Sequence, residues 1–178
     1  MPERSRVALV TGATGFIGSH LVEALLARGW RVRCLVRKTS VLRWLPTDDV
    51  SLINGDVGLP GEDLERAVRN VSVVFHLAGL TSAVDDSAYV TVNVEGTRNV
   101  VVAMQKAAPN ALLVFCSSLA AGGPSTSKRP VNETDEPSPV SAYGRSKLTA
   151  ERIVADALPV RFQVQMHKVI WPKDARGV

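Results

Sequence analysis

The sequence predicts an α/β fold: a doubly wound parallel sheet with helices on both faces, in a single domain. Three observations carry this. Short apolar runs rich in β-branched residues alternate with segments of helical periodicity. The runs are nearly continuous rather than alternating, as expected of strands covered on both faces. And 178 residues suffice for one domain with a sizeable core, with no internal repeat to suggest another architecture.

The elements follow in order. RVALVTG, residues 6–12, is a strand that ends in glycine. GFIGSHLVEALLARG, residues 15–29, places Ile17, Leu21 and Leu25 at helical spacing, and Gly29 stops it. WRVRCLV (30–36) and VSLINGD (50–56) are the next two strands, and DLERAVRN (63–70) is a short helix. VSVVFHLAG (71–79) is the fourth strand. A long helix is expected from Ala88 to Ala108, ended by Pro109. ALLVFCSS (111–118) is the fifth strand, and residues 120–139 read as a loop by their Gly, Pro and Ser content. A final helix runs from Ser141 to Leu158, stopped by Pro159. Right-handed crossovers then wind the sheet in both directions, and ligands bind at the carboxyl ends of its strands.

Composition excludes several classes. Apolar residues make up 46% and charged residues 21%, an ordinary soluble globular balance. No apolar run reaches the length of a membrane span, and the N-terminus lacks a signal-peptide core, so a cytoplasmic protein with no membrane partner is expected. The net charge of +4 is scattered and aromatics are only 5%, which argues against a nucleic-acid partner. Cys34 and Cys116 sit in separate strands, without the spacing of a metal site or disulfide, and both are expected to be buried thiols.

Two motifs carry chemistry. TGATGFIGSH puts Gly12, Gly15 and Gly18 where the first strand becomes the first helix, with Thr14, Phe16 and Ile17 between them. A tight turn needs residues without Cβ. A diphosphate must approach backbone N–H groups, and the helix N-terminus adds partial positive charge. The spacing is a variant of the dinucleotide fingerprint. At the end of the second strand stand Arg37 and Lys38 with no acid, which favours NADP over NAD. Asp56, after the third strand, can accept from an adenine amino group or serve as a structural Asx residue.

The second motif is SAYGRSK. Tyr143 and Lys147 are four residues apart on one helical face. A unit charge about 4 Å away, at an effective dielectric near 20, is worth about 4 kcal/mol, so it lowers a phenol by at most about three pKa units. That range suits a general acid–base group. Gly144 within the helix implies a close neighbour there. Ser118, at the carboxyl end of the fifth strand, lies where a ligand is expected.

TGATGFIG, NGDV, HLAG, NVEGTRNV, CSSLAAGG and NETDEPSPVSAYGRSKLTAE occur in this order. The chain resembles the extended branch of the short-chain dehydrogenase/reductases, the NAD(P)-dependent epimerase/dehydratase type, from about Val7 to about Ala157. The resemblance implies a Rossmann-like NAD(P)-binding domain over residues 1–158. It assigns the diphosphate to Gly12, Gly15 and Gly18 with Phe16 and Ile17, and the adenine to Asp56 and Val57. Leu77, Ala78, Gly79 and Thr81 line the cofactor. Asn93 supports the proton path or the local backbone. Ser118 orients the substrate oxygen, Tyr143 is the acid–base, and Lys147 lowers its pKa and holds the nicotinamide ribose. His76 is expected to pack within its strand, and His20 to be an ordinary helix residue. A nucleotide sugar or a hydrophobic ketone or alcohol is the implied substrate. A homodimer through the Asn93 and Tyr143 helices is implied as well. Leu119, Ala120 and Ala121 beside Ser118 replace the Asp-Glu pair of sugar dehydratases, and Arg37 favours reductase chemistry over epimerisation.

The likeness is lost after Ala157. Residues 159–178 are expected to form either a sixth strand or a poorly ordered tail, with VIWPKD a faint echo of the family's VYGP. The resemblance implies a substrate-binding lobe after this point, which residues 159–178 are not expected to supply. A fragment, an altered reading frame and loss of the lobe each account for this ending. A non-catalytic dinucleotide-binding module is accordingly the alternative to an enzyme.

Overall fold

The structure is a computed structural model that describes residues 6–125, 132 and 134–158. Its five strands are β1 (Val7–Thr11), β2 (Arg31–Val36), β3 (Val50–Asn54), β4 (Val73–His76) and β5 (Leu112–Phe115). All pairings are parallel, in the order β3-β2-β1-β4-β5. Strand order reverses between β1 and β4, where Thr11 pairs with His76. That reversal is where a doubly wound sheet opens a crevice at its carboxyl edge.

Helices cover both faces. On one face α1 (Phe16–Leu26) packs Val22 and Leu25 against Ala8, Val10, Val32 and Cys34. On the other, α2 (Glu62–Val68) and α4 (Gly96–Ala107) pack Leu64, Val68, Val100 and Met104 against Leu9, Leu35 and Val74. Successive strand residues serve opposite faces, so β1 is buried along its whole length. Arg33 of β2 donates through one guanidinium nitrogen to the carbonyls of Arg66, Ala67 and Arg69. It thereby satisfies the free carbonyls at the end of α2 with a cation of the favourable sign. α5 (Ala142–Ala157) begins at Ser141, whose hydroxyl accepts from Gly144 N at 3.0 Å as a helix cap.

Three expectations need correction. The long helix is not uniform: α3 (Asp86–Tyr89) leads into a π-helical segment, Val90–Glu95, before α4. Gly96 N bonds to Thr91 O, five residues back. The wide turn directs Asn93 inward, where it is 1% exposed and bonded on all sides. Second, Cys34 is buried but Cys116 is exposed. Among the described residues β5 is the last strand of the sheet, and its alternate residues face outward, with Leu112 64% and Val114 39% exposed; Cys116 continues that row. Third, β3 is mostly exposed rather than covered, because it forms the opposite edge. The expected strand or tail at 159–178 lies outside the described residues, as does part of the 120–139 loop.

Candidate active site

The glycine turn joins β1 to α1, and each glycine has its own reason. Gly12 has φ +70°, and a Cβ there would lie 2.7 Å from Ala78 N and from the Leu77 carbonyl carbon. A Cβ on Gly18 would lie 2.1 Å from Gly12 O, so the first turn of α1 presses directly onto the loop. Gly15 is the N-cap, in extended conformation, and its nearest contact would be Gly12 O at 3.3 Å. Among the described residues no side chain caps the start of α1, so its first N–H groups stay available to a ligand. Phe16 and Ile17 stand exposed beside them, at 82% and 61%. Thr14 is half-buried in the same turn. The β1–β4 crevice therefore offers backbone N–H groups with no Cβ in the way, a cradle that fits a diphosphate.

The opposite wall is held by buried polar groups. Thr11 Oγ1 pairs with His76 Nδ1 at 2.7 Å and accepts from Ala78 N. His76 Nε2 pairs with Thr97 Oγ1 at 3.0 Å. Burial, reinforced by the nearby Lys147 charge, pushes the His76 pKa down to about 3. His76 is thus a neutral bracket between β1, β4 and α4. Asn93 Oδ1 accepts from Leu80 N at 2.7 Å, and its Nδ2 donates to Leu80 O and Ser146 Oγ. It fixes the loop after β4 to α5, with Gly79 3.1 Å from Asn93 Oδ1 when given a Cβ. Thr81 is exposed farther along this loop.

After β3, Asp56 Oδ1 accepts from Gly58 N at 2.9 Å, an Asx turn. The Val57 side chain is buried in the core, and its carbonyl accepts from Asn99. Arg37 is exposed, in a turn closed by its own N–H donating to Ser40 Oγ.

The remaining residues gather where β5 meets α5. Ser118 follows the strand and caps a short 3₁₀ turn, Leu119–Ala121, accepting from Ala120 N at 3.2 Å. That turn approaches α5 so closely that a Cβ on Gly144 would lie 2.3 Å from Ala120 O. This is the close neighbour that a glycine within the helix implied. Tyr143 is half-buried with its ring 6.0 Å from that of Tyr89. Lys147 is 5% exposed. Its Nζ donates to Cys116 O at 2.7 Å and lies 4.2 Å from the centroid of Phe115. Burial pushes the Lys147 pKa below the usual lysine value, opposed by Cys116 and Glu151.

Tyr89, Ser117 and Glu151 escaped the sequence reading. Tyr89 OH accepts from Ala83 N, and Ser117 Oγ donates to Glu151. One signal was available for Glu151: it is the next step, at i+4, after Tyr143 and Lys147.

With this geometry in place, its relatives are informative. A model of the NAD dependent epimerase/dehydratase family matches residues 8–159, and the chain belongs to that family. It is 36% identical to ceramide reductase of Caulobacter vibrioides over 168 residues, covering 94% of this chain and 48% of that protein. It is 35% identical to 3 beta-hydroxysteroid dehydrogenase type 7 of Rattus norvegicus, covering 85% and 48%. Among solved structures, UDP-glucose 4-epimerase of Thermus thermophilus in complex with NAD superposes with a TM-score of 0.75 at 33% identity. That match covers 84% of this chain and 50% of the epimerase. The chain spans about half the length of the curated relatives it matches. No helix among the described residues is long and apolar enough to cross a membrane.

Proposed function

We propose that this chain is the cofactor-binding half of an NAD(P)-dependent oxidoreductase of the reductase type, with NADP favoured. The observation that carries the reading is the buried Lys147, held at the carboxyl end of β5 beside the Ser118 turn and one helical turn from Tyr143. A buried ammonium is costly unless it is paired and hydrogen-bonded, and Lys147 is held at that place by a carbonyl and a ring face. When bound, a nicotinamide dinucleotide supplies hydride exchange at its ring C4 with a carbinol or carbonyl carbon. In this reading the glycine turn and the start of α1 bind the diphosphate, and Arg37 receives a ribose 2′-phosphate. Lys147 reaches the nicotinamide ribose and places positive charge beside the phenol. Ser118 holds the substrate oxygen, and the Tyr143 hydroxyl gives or takes its proton. Asn93 keeps the loop after β4 in register with the Tyr143 helix.

The substrate of the whole protein is a hydrophobic ketone or alcohol. Similarity to ceramide reductase and to a hydroxysteroid dehydrogenase supports that class. A second reading, nucleotide-sugar epimerisation, has support from the likeness to UDP-glucose 4-epimerase. Parallel NADPH and NADH titrations, followed by turnover assays of wild type and Tyr143→Phe, test the proposal. Expected are tighter NADPH binding and equal cofactor affinity in the two forms, with turnover reduced about 10²- to 10⁴-fold in the variant. Binding by both forms with turnover by neither would make the chain a dinucleotide-binding module.

A further inference from the structure

The end of β5 is gripped twice by α5. Lys147 Nζ donates to Cys116 O at 2.7 Å, and the next residue, Ser117, donates its hydroxyl to Glu151. Ser118 comes immediately after. Tyr143, Lys147 and Glu151 recur every fourth residue and so share one face of α5. No ion pair among the described residues includes Lys147. Its surroundings are the Phe115 ring of β5, the Cys116 carbonyl and thiol just after that strand, neutral His76 from β4, and Glu151 from its own helix, with Tyr143 one turn before it. A buried ammonium whose hydrogen bond among the described residues is to a single carbonyl is poorly compensated, and a carboxylate one turn away reduces that cost.

We propose that Glu151 is the positioning residue for Lys147: tethered by Ser117, its carboxylate supplies the negative charge that keeps the ammonium protonated and seated against Cys116. The inference rests on the reading of Lys147 as the group that reaches the nicotinamide ribose, and it adds the device that holds that group in its charged form. The opposing influence of Glu151 on the burial-lowered Lys147 agrees with it.

The test is the protonation midpoint of Lys147 in the full chain, read by NMR with ¹³Cε-labelled lysine and assigned with Lys147→Arg. Glu151→Gln keeps a hydrogen-bond acceptor for Ser117 and removes only the charge. Its Lys147 midpoint is expected to fall by about half a pH unit or more, the scale of a partly buried charge one turn away. Glu151→Asp restores most of the shift, and Ser117→Ala lowers the midpoint less than Glu151→Gln does. The alkaline limb of NADPH affinity in Glu151→Gln moves down with the midpoint. An unchanged or raised midpoint in Glu151→Gln overturns the proposal. So does a midpoint lowered by Ser117→Ala but not by Glu151→Gln, which would assign the effect to the Ser117 contact alone. A lowered midpoint in a protein that binds no NADPH would sustain the role of Glu151 and remove the cofactor reading instead.

Discussion

The two halves of the crevice are built by different means. At the β1–α1 turn the site is backbone, and its shape comes from atoms that are missing: no Cβ at Gly12 or Gly18. At the β5–α5 junction the site is side chain, and its shape comes from a buried cation, a carbonyl and a tethered carboxylate. At those two glycines the first kind admits no added Cβ, and it needs no electrostatic balance. The second shares one such close approach, at Gly144, but also depends on charge. Mutations in the two regions should therefore fail differently.

The largest effect is expected at the glycines. Gly18→Ala drives a methyl into Gly12 O, and Gly12→Val combines a clash with a positive φ. Each should cost about 3 kcal/mol or more in urea denaturation and abolish NADPH binding. Wild-type stability in either variant would dissolve the contrast. The next effect is pH-dependent and belongs to the bracket between the two halves. His76 has a folded pKa near 3, below its unfolded value of about 6.5. Below pH 6.5 the unfolded chain takes up a proton that the native state does not. Stability present above pH 6.5 is lost as pH falls toward 3, by up to about 1.4 kcal/mol per pH unit. His76→Gln should flatten that slope in denaturation series run between pH 4 and 7, whatever it costs at neutrality.

Smaller again is cofactor choice. Arg37→Ser should weaken NADPH by about tenfold, as loss of one charged phosphate contact, and leave NADH within about twofold. Calorimetric titration of both nucleotides decides it. The smallest effect sharpens the comparison from within. Gly15→Ala meets nothing nearer than 3.3 Å and has an ordinary φ. It should cost only about 0.5–1 kcal/mol, the worth of a helix cap, although it lies in the same motif.

The backbone half was legible in the sequence because spacing alone encodes it: three glycines between an apolar run and a helical period admit few geometries. The Tyr143–Lys147 pair was legible as one helical face, and Gly144 as a close approach. What lay beyond reach was tertiary. Nothing local says that Lys147 meets the Cys116 carbonyl, or that Ser117 finds Glu151 34 residues away. Cys116 was expected to be buried because an apolar run looks alike in a central strand and at a sheet edge, and only the strand order separates them. The π-helical turn was hidden for a related reason. The apolar pattern of Val90–Ala107 fits a plain helix, and the extra residue shows only in the backbone bond from Gly96 N to Thr91 O and in what Asn93 bonds to.

That turn sets a clock for everything downstream. Each residue of an ordinary helix advances the chain by about 100°. Removing one position between 90 and 95 would restore a regular period. It would also swing either Asn93 or Thr97 out of phase, parting the first from Leu80 or the second from His76. A single-residue deletion in this helix would thus release either the loop after β4 or the end of β4 itself.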